Sequence, residues 1–149
     1  MSPGPVIVRP AVAGDIAAAA VVAAASYAQA FAAILEAEAL ARYDAAFFAG
    51  RFAAALDRLR VAEDGGIVGF SLVTGTYLDM LFIAPVAQGT GAGRALLVEA
   101  VGRGARTLEC FRDNLPARHF YERQGWRLDH AIRREFAGRV RDFVIYEQP

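Results

Sequence analysis

The stretch Gln88-Gly89-Thr90-Gly91-Ala92-Gly93-Arg94 constrains this chain more than any other part of it. An apolar run over Tyr77–Ile83 precedes it and Pro85 ends that run. A helical pattern over 94–103 follows, with Leu96, Leu97, Ala100 and Val101 inward. In a strand–glycine–helix turn the backbone can approach a ligand without Cβ clashes. The N–H groups and dipole of the helix start then favour an anion such as a pyrophosphate. Two families of such turns do not fit. A phosphate-binding NTPase loop needs a Lys after its last glycine, and every basic residue here is Arg. A dinucleotide fingerprint needs G-x-G-x-x-G, but counting from Gly89 puts Arg94 at the last glycine and counting from Gly91 puts Leu96 there. That fingerprint also belongs to the first βα unit of a parallel fold, whereas this turn follows two hairpins.

The rest of the chain supplies the frame. Residues 6–9 read as a first strand stopped by Pro10. Asp15 opens an Ala-rich helix reaching about Phe31, where a carboxylate suits the positive helix end. A second helical stretch spans 36–59. Leu40, Tyr43, Phe47, Phe48, Phe52 and Leu56 recur there at spacings of three and four, and Gly50 is expected to break it in two. From Leu59 the period changes: Leu59–Glu63 and residues 67–73 flank Asp64-Gly65-Gly66, a hairpin signal, and Thr74-Gly75-Thr76 is a second tight connection. Thr107–Phe111 reads as a strand and 116–124 as a short helix with Pro placed early, where its missing N–H costs nothing. Arg127–Phe136 and residues 140–147 close as a hairpin over Ala137-Gly138. Residues 1–5 read as a disordered lead, and 1–149 as a single domain. This order predicts an α/β (mixed α+β) fold with a central, mostly antiparallel sheet of about seven strands and helices on both faces.

Within the turn, Gln88, Gly91 and Gly93 match [RQ]-x-x-G-x-[GA] at every specified position, and here the chain resembles the acetyl-CoA-binding motif of the GNAT superfamily. Upstream, Leu81-Phe82-Ile83-Ala84-Pro85 is similar to the family's apolar strand followed by x-Pro. Downstream, residues 114–126 are similar to its N-x-x-A-x-x-F-Y-x-x-x-G-[FW] segment. The resemblance is strong over about 77–126 and collinear but weaker over Ile7 to Ala18. It reaches the superfamily, not a named enzyme.

The resemblance implies acetyl-CoA as co-substrate and transfer of an acetyl group to a primary amine by direct attack in a ternary complex. The alternative is a CoA- or acyl-CoA-binding sensor with the same fold and no turnover. Two central strands would splay to admit the pantetheine arm, whose amides would pair with backbone groups of Leu81, Phe82 and Ile83 as an added strand would. The backbone of Gln88, Gly89, Thr90, Gly91, Ala92, Gly93 and Arg94 would hold the pyrophosphate, and the Asn114 side chain the arm. Arg94 or Arg118 would screen phosphate charge. Tyr121 falls at the family's general-acid position, where a phenol can share its proton with the departing thiolate. For the base, Asp79 alternates to the same face as Leu81 and Ile83, with a solvated strand-end Asp as the competing reading, and Glu109 is a weaker candidate. His119 and His130 read as surface residues, and Cys110 and Trp126 as core.

Composition removes several classes. Sixteen acidic residues balance sixteen basic ones, so the basic excess of a nucleic-acid binder is missing. The absence of Lys removes Schiff-base chemistry. No Cys/His/Asp cluster has ligand spacing, so no metal is expected. The one cysteine, Cys110, fits a reducing, cytoplasmic compartment. The longest apolar run, Ile16 to Ala25, is about half of the ~20 residues of a membrane span, so a soluble protein with no membrane partner is expected. In the family the acceptor is shaped by the N-terminal helices and the closing hairpin, here 27–52 and 127–146. Their aromatic character suits a small amine or a peptide N-terminus rather than a polycation. A homodimer is an assembly common in the family.

Overall fold

A computed structural model describes residues 5–149; of the lead expected over 1–5, all but Pro5 lies outside the described residues. The elements are β1 (Ile7–Pro10), α1 (Ile16–Phe31), α2 (Ala37–Leu40), α3 (Ala45–Ala54), β2 (Leu59–Glu63), β3 (Ile67–Thr74) and β4 (Tyr77–Ile83). They continue as α4 (Ala92–Gly102), β5 (Thr107–Phe111), α5 (Leu115–Arg123), β6 (Arg127–Phe136) and β7 (Arg139–Glu147). The strands form one seven-stranded sheet in the order β1-β2-β3-β4-β5-β7-β6. All neighbours are antiparallel except β4 and β5.

Alternation along the strands divides the core between the two faces. On one face Val61, Phe70, Leu72 and Met80 pack against Ala19, Ala20 and Ala23 of α1 and Phe48 and Phe52 of α3. On the other, Ala62 packs against Ala92 and Leu96 of α4, while Leu108, Val144 and Tyr146 meet Leu97, Ala100, Tyr121 and Trp126. The small alanines let α1 sit close to the sheet. The continuous helical segment Ala13–Phe31 is, by length and composition alone, long and apolar enough to cross a membrane, which the ten-residue run did not suggest. Here its buried face covers β3 and β4.

The helical stretch expected over 36–59 differs in where it breaks. The stretch 36–59 breaks at Asp44, not at Gly50. Asp44 is the N-cap of α3 and accepts from the Phe47 N–H at 2.8 Å, while Gly50 lies inside α3 on an open surface. At the helix start Asp15 does more than offset a dipole. Arg9 donates to both its carboxylate oxygens at 2.8 and 3.0 Å, and Val12 N–H donates at 2.8 Å. These bonds fasten β1 to the entry of α1 and hold the Asp15 carboxyl down at about 2.

Candidate active site

Strands β4 and β5 lie side by side only briefly. Tyr77 pairs with Thr107 and Leu78 with Leu108, and there the parallel ladder stops. Beyond it the β5-facing edge of residues 79–83 has no strand partner among the described residues, although β3 pairs along the other side as far as Ile83. A register shift lies at the point of divergence: Leu72 faces Met80 and Val73 faces Leu78, so Asp79 is the extra residue of a β-bulge. Bulges bend strands and re-aim side chains. The simple alternation that grouped Asp79 with Leu81 and Ile83 is interrupted at Asp79 itself.

Two cavities meet in the opening. The first, about 650 Å³, runs from Leu81, Phe82 and Ile83 past Gln88, Gly89, Gly91, Gly93 and Arg94, with Asn114 and Tyr121 at its inner end. Its floor is the glycine turn. Gly91 is the N-cap of α4 with φ 91°, and Gly89 has φ 81°, backbone conformations that L side chains rarely adopt. The helix ladder begins with Ala95 N–H donating to the Gly91 carbonyl, so the N–H groups of Ala92, Gly93 and Arg94 stand ahead of it, available to an anion. Two side chains of the turn face away from the cavity, which leaves their backbone as the part expected to hold the anion. The Thr90 hydroxyl donates to the Ala87 carbonyl at 2.6 Å, and the Ala92 methyl is buried beside Ala62 and Leu96. Arg94 is exposed on the rim, but Arg118 is committed elsewhere, donating to the Tyr146 hydroxyl at 3.1 Å and the Arg112 carbonyl at 2.8 Å. Asn114 is buried and caps α5, its Oδ1 accepting at 3.5 Å from Ala117 N–H.

The second cavity, about 420 Å³, lies under α1 and α3 and beside the β6–β7 hairpin. Tyr27 is its hub, with ring centroids 4.7 Å from Phe31, 5.2 Å from Tyr43, 4.9 Å from Phe48 and 5.1 Å from Phe82. Asp79 and Glu109 both line it. Asp79 accepts from the Thr74 hydroxyl at 2.6 Å through Oδ2. Glu109 is bound to Arg134, whose Nε donates to both carboxylate oxygens at 3.0 Å. Of the acidic residues between Tyr27 and Phe52, Glu36 is tied to Arg141 at 2.7 Å and Asp44 to its own helix. The cavity's carboxylates therefore come from the strands.

Tyr121 lines both cavities. Its ring packs against Phe120, Trp126 and Tyr146, and its hydroxyl has no hydrogen-bond partner among the described residues. Burial pushes the phenol well above its ordinary range, with Cys110 adding to the shift. Cys110 is buried as expected and pushed up to about 12 by desolvation, although it too lines the second cavity. His119 and His130 are exposed. No grouping of three or more metal-ligating side chains exists among the described residues.

Residues 55–128, which carry β2 through α5 and therefore both the bulge and the glycine turn, match the family profile described as an acetyltransferase (GNAT) domain. The chain belongs to the GNAT superfamily. It is 38% identical over 68 residues to the peptidyl-lysine N-acetyltransferase YiaC of Escherichia coli (strain K12), a match covering 44% of this chain and 47% of the relative, about half of its length. The structure superposes on a GCN5-related N-acetyltransferase from Rhodopseudomonas palustris with a TM-score of 0.76 at 27% identity, over 99% of this chain and 98% of the other. It also superposes on the PaiA N-acetyltransferase from Thermoplasma acidophilum in complex with coenzyme A, with a TM-score of 0.78 at 16% identity, over 98% and 100%.

Several polar residues that line the two cavities were not assigned from the sequence, among them Ser26, Gln29, Arg51, Arg123 and Arg134. Ser26 and Gln29 of α1 line the first cavity: the Ser26 hydroxyl donates to the Ile83 carbonyl at 3.2 Å, and Gln88 Nε2 donates to Gln29 Oε1 at 2.9 Å. Their i, i+3 spacing on a helix otherwise faced with alanine was the available signal. Arg123 on the first cavity and Arg51 on the second carried none, in a chain where Arg is frequent.

Proposed function

We propose that this chain is an acetyl-CoA-dependent N-acetyltransferase acting on a primary amine, with the amine and the thioester held together in one complex. The position of Tyr121 at the junction of the two cavities carries the reading. A donor in the groove and an acceptor in the aromatic cavity would meet beside the unbonded hydroxyl of this buried ring. The residues present fit a pantetheine-pyrophosphate ligand, since an unpaired strand edge can accept a chain of amides and a glycine-capped helix start can accept a pyrophosphate. That a structurally similar protein was crystallised with coenzyme A agrees with this assignment. The free, buried Cys110 is in keeping with a cytoplasmic setting.

When bound, acetyl-CoA supplies an activated acyl carbon and a sulfur leaving group. The chain's own groups do the rest. Free N–H groups on residues 79–83 orient the donor, and the turn at Gly91 anchors its charge. Asp79 Oδ1, left open while Oδ2 holds Thr74, accepts a proton from the amine directly or through one water. The nitrogen–carbon bond forms and the carbon–sulfur bond breaks. The Tyr121 hydroxyl hydrogen-bonds the sulfur and shares its proton as negative charge develops there. The upward shift of its pKa keeps this phenol protonated across the working pH range, so it steadies the developing thiolate by donating a hydrogen bond and sharing its proton rather than by giving it up completely. A thiol-release assay against a panel of amines, with the acetylated product identified by mass, tests the reading. Acetyl-CoA binding without transfer to any amine would support the sensor reading instead.

A further inference from the structure

Four charged side chains line the aromatic cavity: Arg51, Asp79, Glu109 and Arg134. Two neutralise each other, because Arg134 is bonded to Glu109 and its guanidinium lies 4.3 Å from the centroid of Phe143. The remaining two are not joined. Asp79 takes one hydroxyl donor, and Arg51 has no hydrogen bond or ion pair among the described residues. They also belong to different walls. Arg51 is on α3, close enough to Tyr27 that its charge acts on that hydroxyl, while Asp79 sits in the β4 bulge near Tyr77. Between them the lining is aromatic, from Tyr27 and Phe31 to Phe82 and Phe111.

We propose that the acceptor is a small amine that also carries a carboxylate on an apolar or aromatic skeleton, its amine directed to Asp79 and its carboxylate to Arg51. The inference rests on the acetyltransferase reading above and leaves its chemistry unchanged. Arg51 is exposed at the cavity edge and Asp79 half-buried on its strand wall, and a ligand that carries the two opposite charges on an apolar skeleton pairs with both at once while its skeleton packs on the rings between them. An amine without an anion leaves Arg51 unanswered, and a polycation meets its repulsion. A lysyl side chain on a folded protein brings an amide backbone, not a carboxylate, to the cavity. A volume of about 420 Å³ suits a molecule of amino-acid size.

The test compares two pairs of amines that differ only by a carboxylate, phenylalanine with phenethylamine and 4-(aminomethyl)benzoate with benzylamine, beside a lysine-containing peptide. Thiol release gives kcat and KM, and calorimetry on the CoA-saturated protein gives affinity without turnover. In at least one pair the carboxylate-bearing member should be favoured by about tenfold or more in kcat/KM, the worth of one charge-assisted hydrogen bond. Arg51→Gln should collapse that preference chiefly by raising KM, and Arg51→Lys should restore part of it. Because Arg51 is exposed, an unchanged melting temperature will establish that these variants fold. Preference for the decarboxylated member in both pairs, a preference that survives Arg51→Gln, or better turnover of the lysyl peptide overturns the inference and leaves the acetyltransferase reading standing. No turnover of any amine overturns both.

Discussion

Replacing Tyr121 by Phe removes one oxygen and leaves the ring. That ring lies 5.2 Å from Phe120, 6.0 Å from Trp126 and 6.4 Å from Tyr146, centroid to centroid, and all of these contacts survive. The hydroxyl has no partner to orphan among the described residues, so the stability change should stay within about 1 kcal/mol. In a chain of this size that is roughly 2–4 °C in melting temperature. Acetyl-CoA affinity, read by calorimetry, should hardly move, because the strand edge and glycine turn are untouched. Turnover should fall by about 10²–10⁴, the usual worth of a positioned proton donor, or roughly 3–5 kcal/mol of barrier. The loss should shrink with an acyl donor whose thiol is more acidic. Since burial raises this phenol's pKa, the wild-type rate should show no decline from its ionisation below about pH 10. Full turnover in Tyr121→Phe would refute the proton-sharing role. Lost stability with normal turnover would mean that the hydroxyl is structural.

Three further perturbations probe other parts of the molecule. Asp79→Asn should lower the rate most below the amine's pKa and recover at alkaline pH; a pH–rate profile parallel to the wild type would return Asp79 to a solvated strand residue. Gly91→Glu meets no heavy atom within 4 Å of its new Cβ, but it forces φ 91° on an L residue at an anion site. It should fold, at a cost of about 1–2 kcal/mol, and lose acetyl-CoA binding, and calorimetry showing unchanged affinity would remove the assignment of the turn. Asp15 has a folded pKa of about 2, depressed mainly by its Arg9 bonds, against an ordinary value near 3.9. Its stabilisation is therefore complete above about pH 4 and fades as pH falls towards 2. Asp15→Asn should be less stable by roughly 2 kcal/mol at neutral pH, with the gap in melting temperature closing in acid; a gap independent of pH would contradict this.

The parts of the fold that rest on local chemistry were legible in the sequence. Glycine turns, the Pro85 stop and the period change at Leu59 yielded the strand order of the central hairpins and the start of the cofactor-type turn within two residues. The break at Asp44 is also legible, since an Asp before an apolar helical run is an N-cap signal, whereas a single Gly such as Gly50 costs only about 1 kcal/mol inside a helix and need not end it. What depended on pairing across the sheet was not. The bulge at Asp79 exists only in the register between β3 and β4, and Arg118 is occupied by Tyr146, 28 residues away. Thr90 and Ala92 stand at unspecified positions of the motif, and where their side chains go, into the turn itself and into the core, is set by packing that the motif does not encode.

Hydrogen exchange of the wild-type protein with and without acetyl-CoA tests the central claim most directly. The backbone N–H groups of residues 79–83 that face β5, and those of residues 89–94 at the start of α4, have no partner among the described residues and are the groups assigned to the donor. Slowed exchange should appear in these two segments and should be matched by neither NADH nor ATP. Acetyl-CoA that leaves both segments unchanged, or protects a different part of the chain, would contradict the assignment of this opening as the acetyl-donor site.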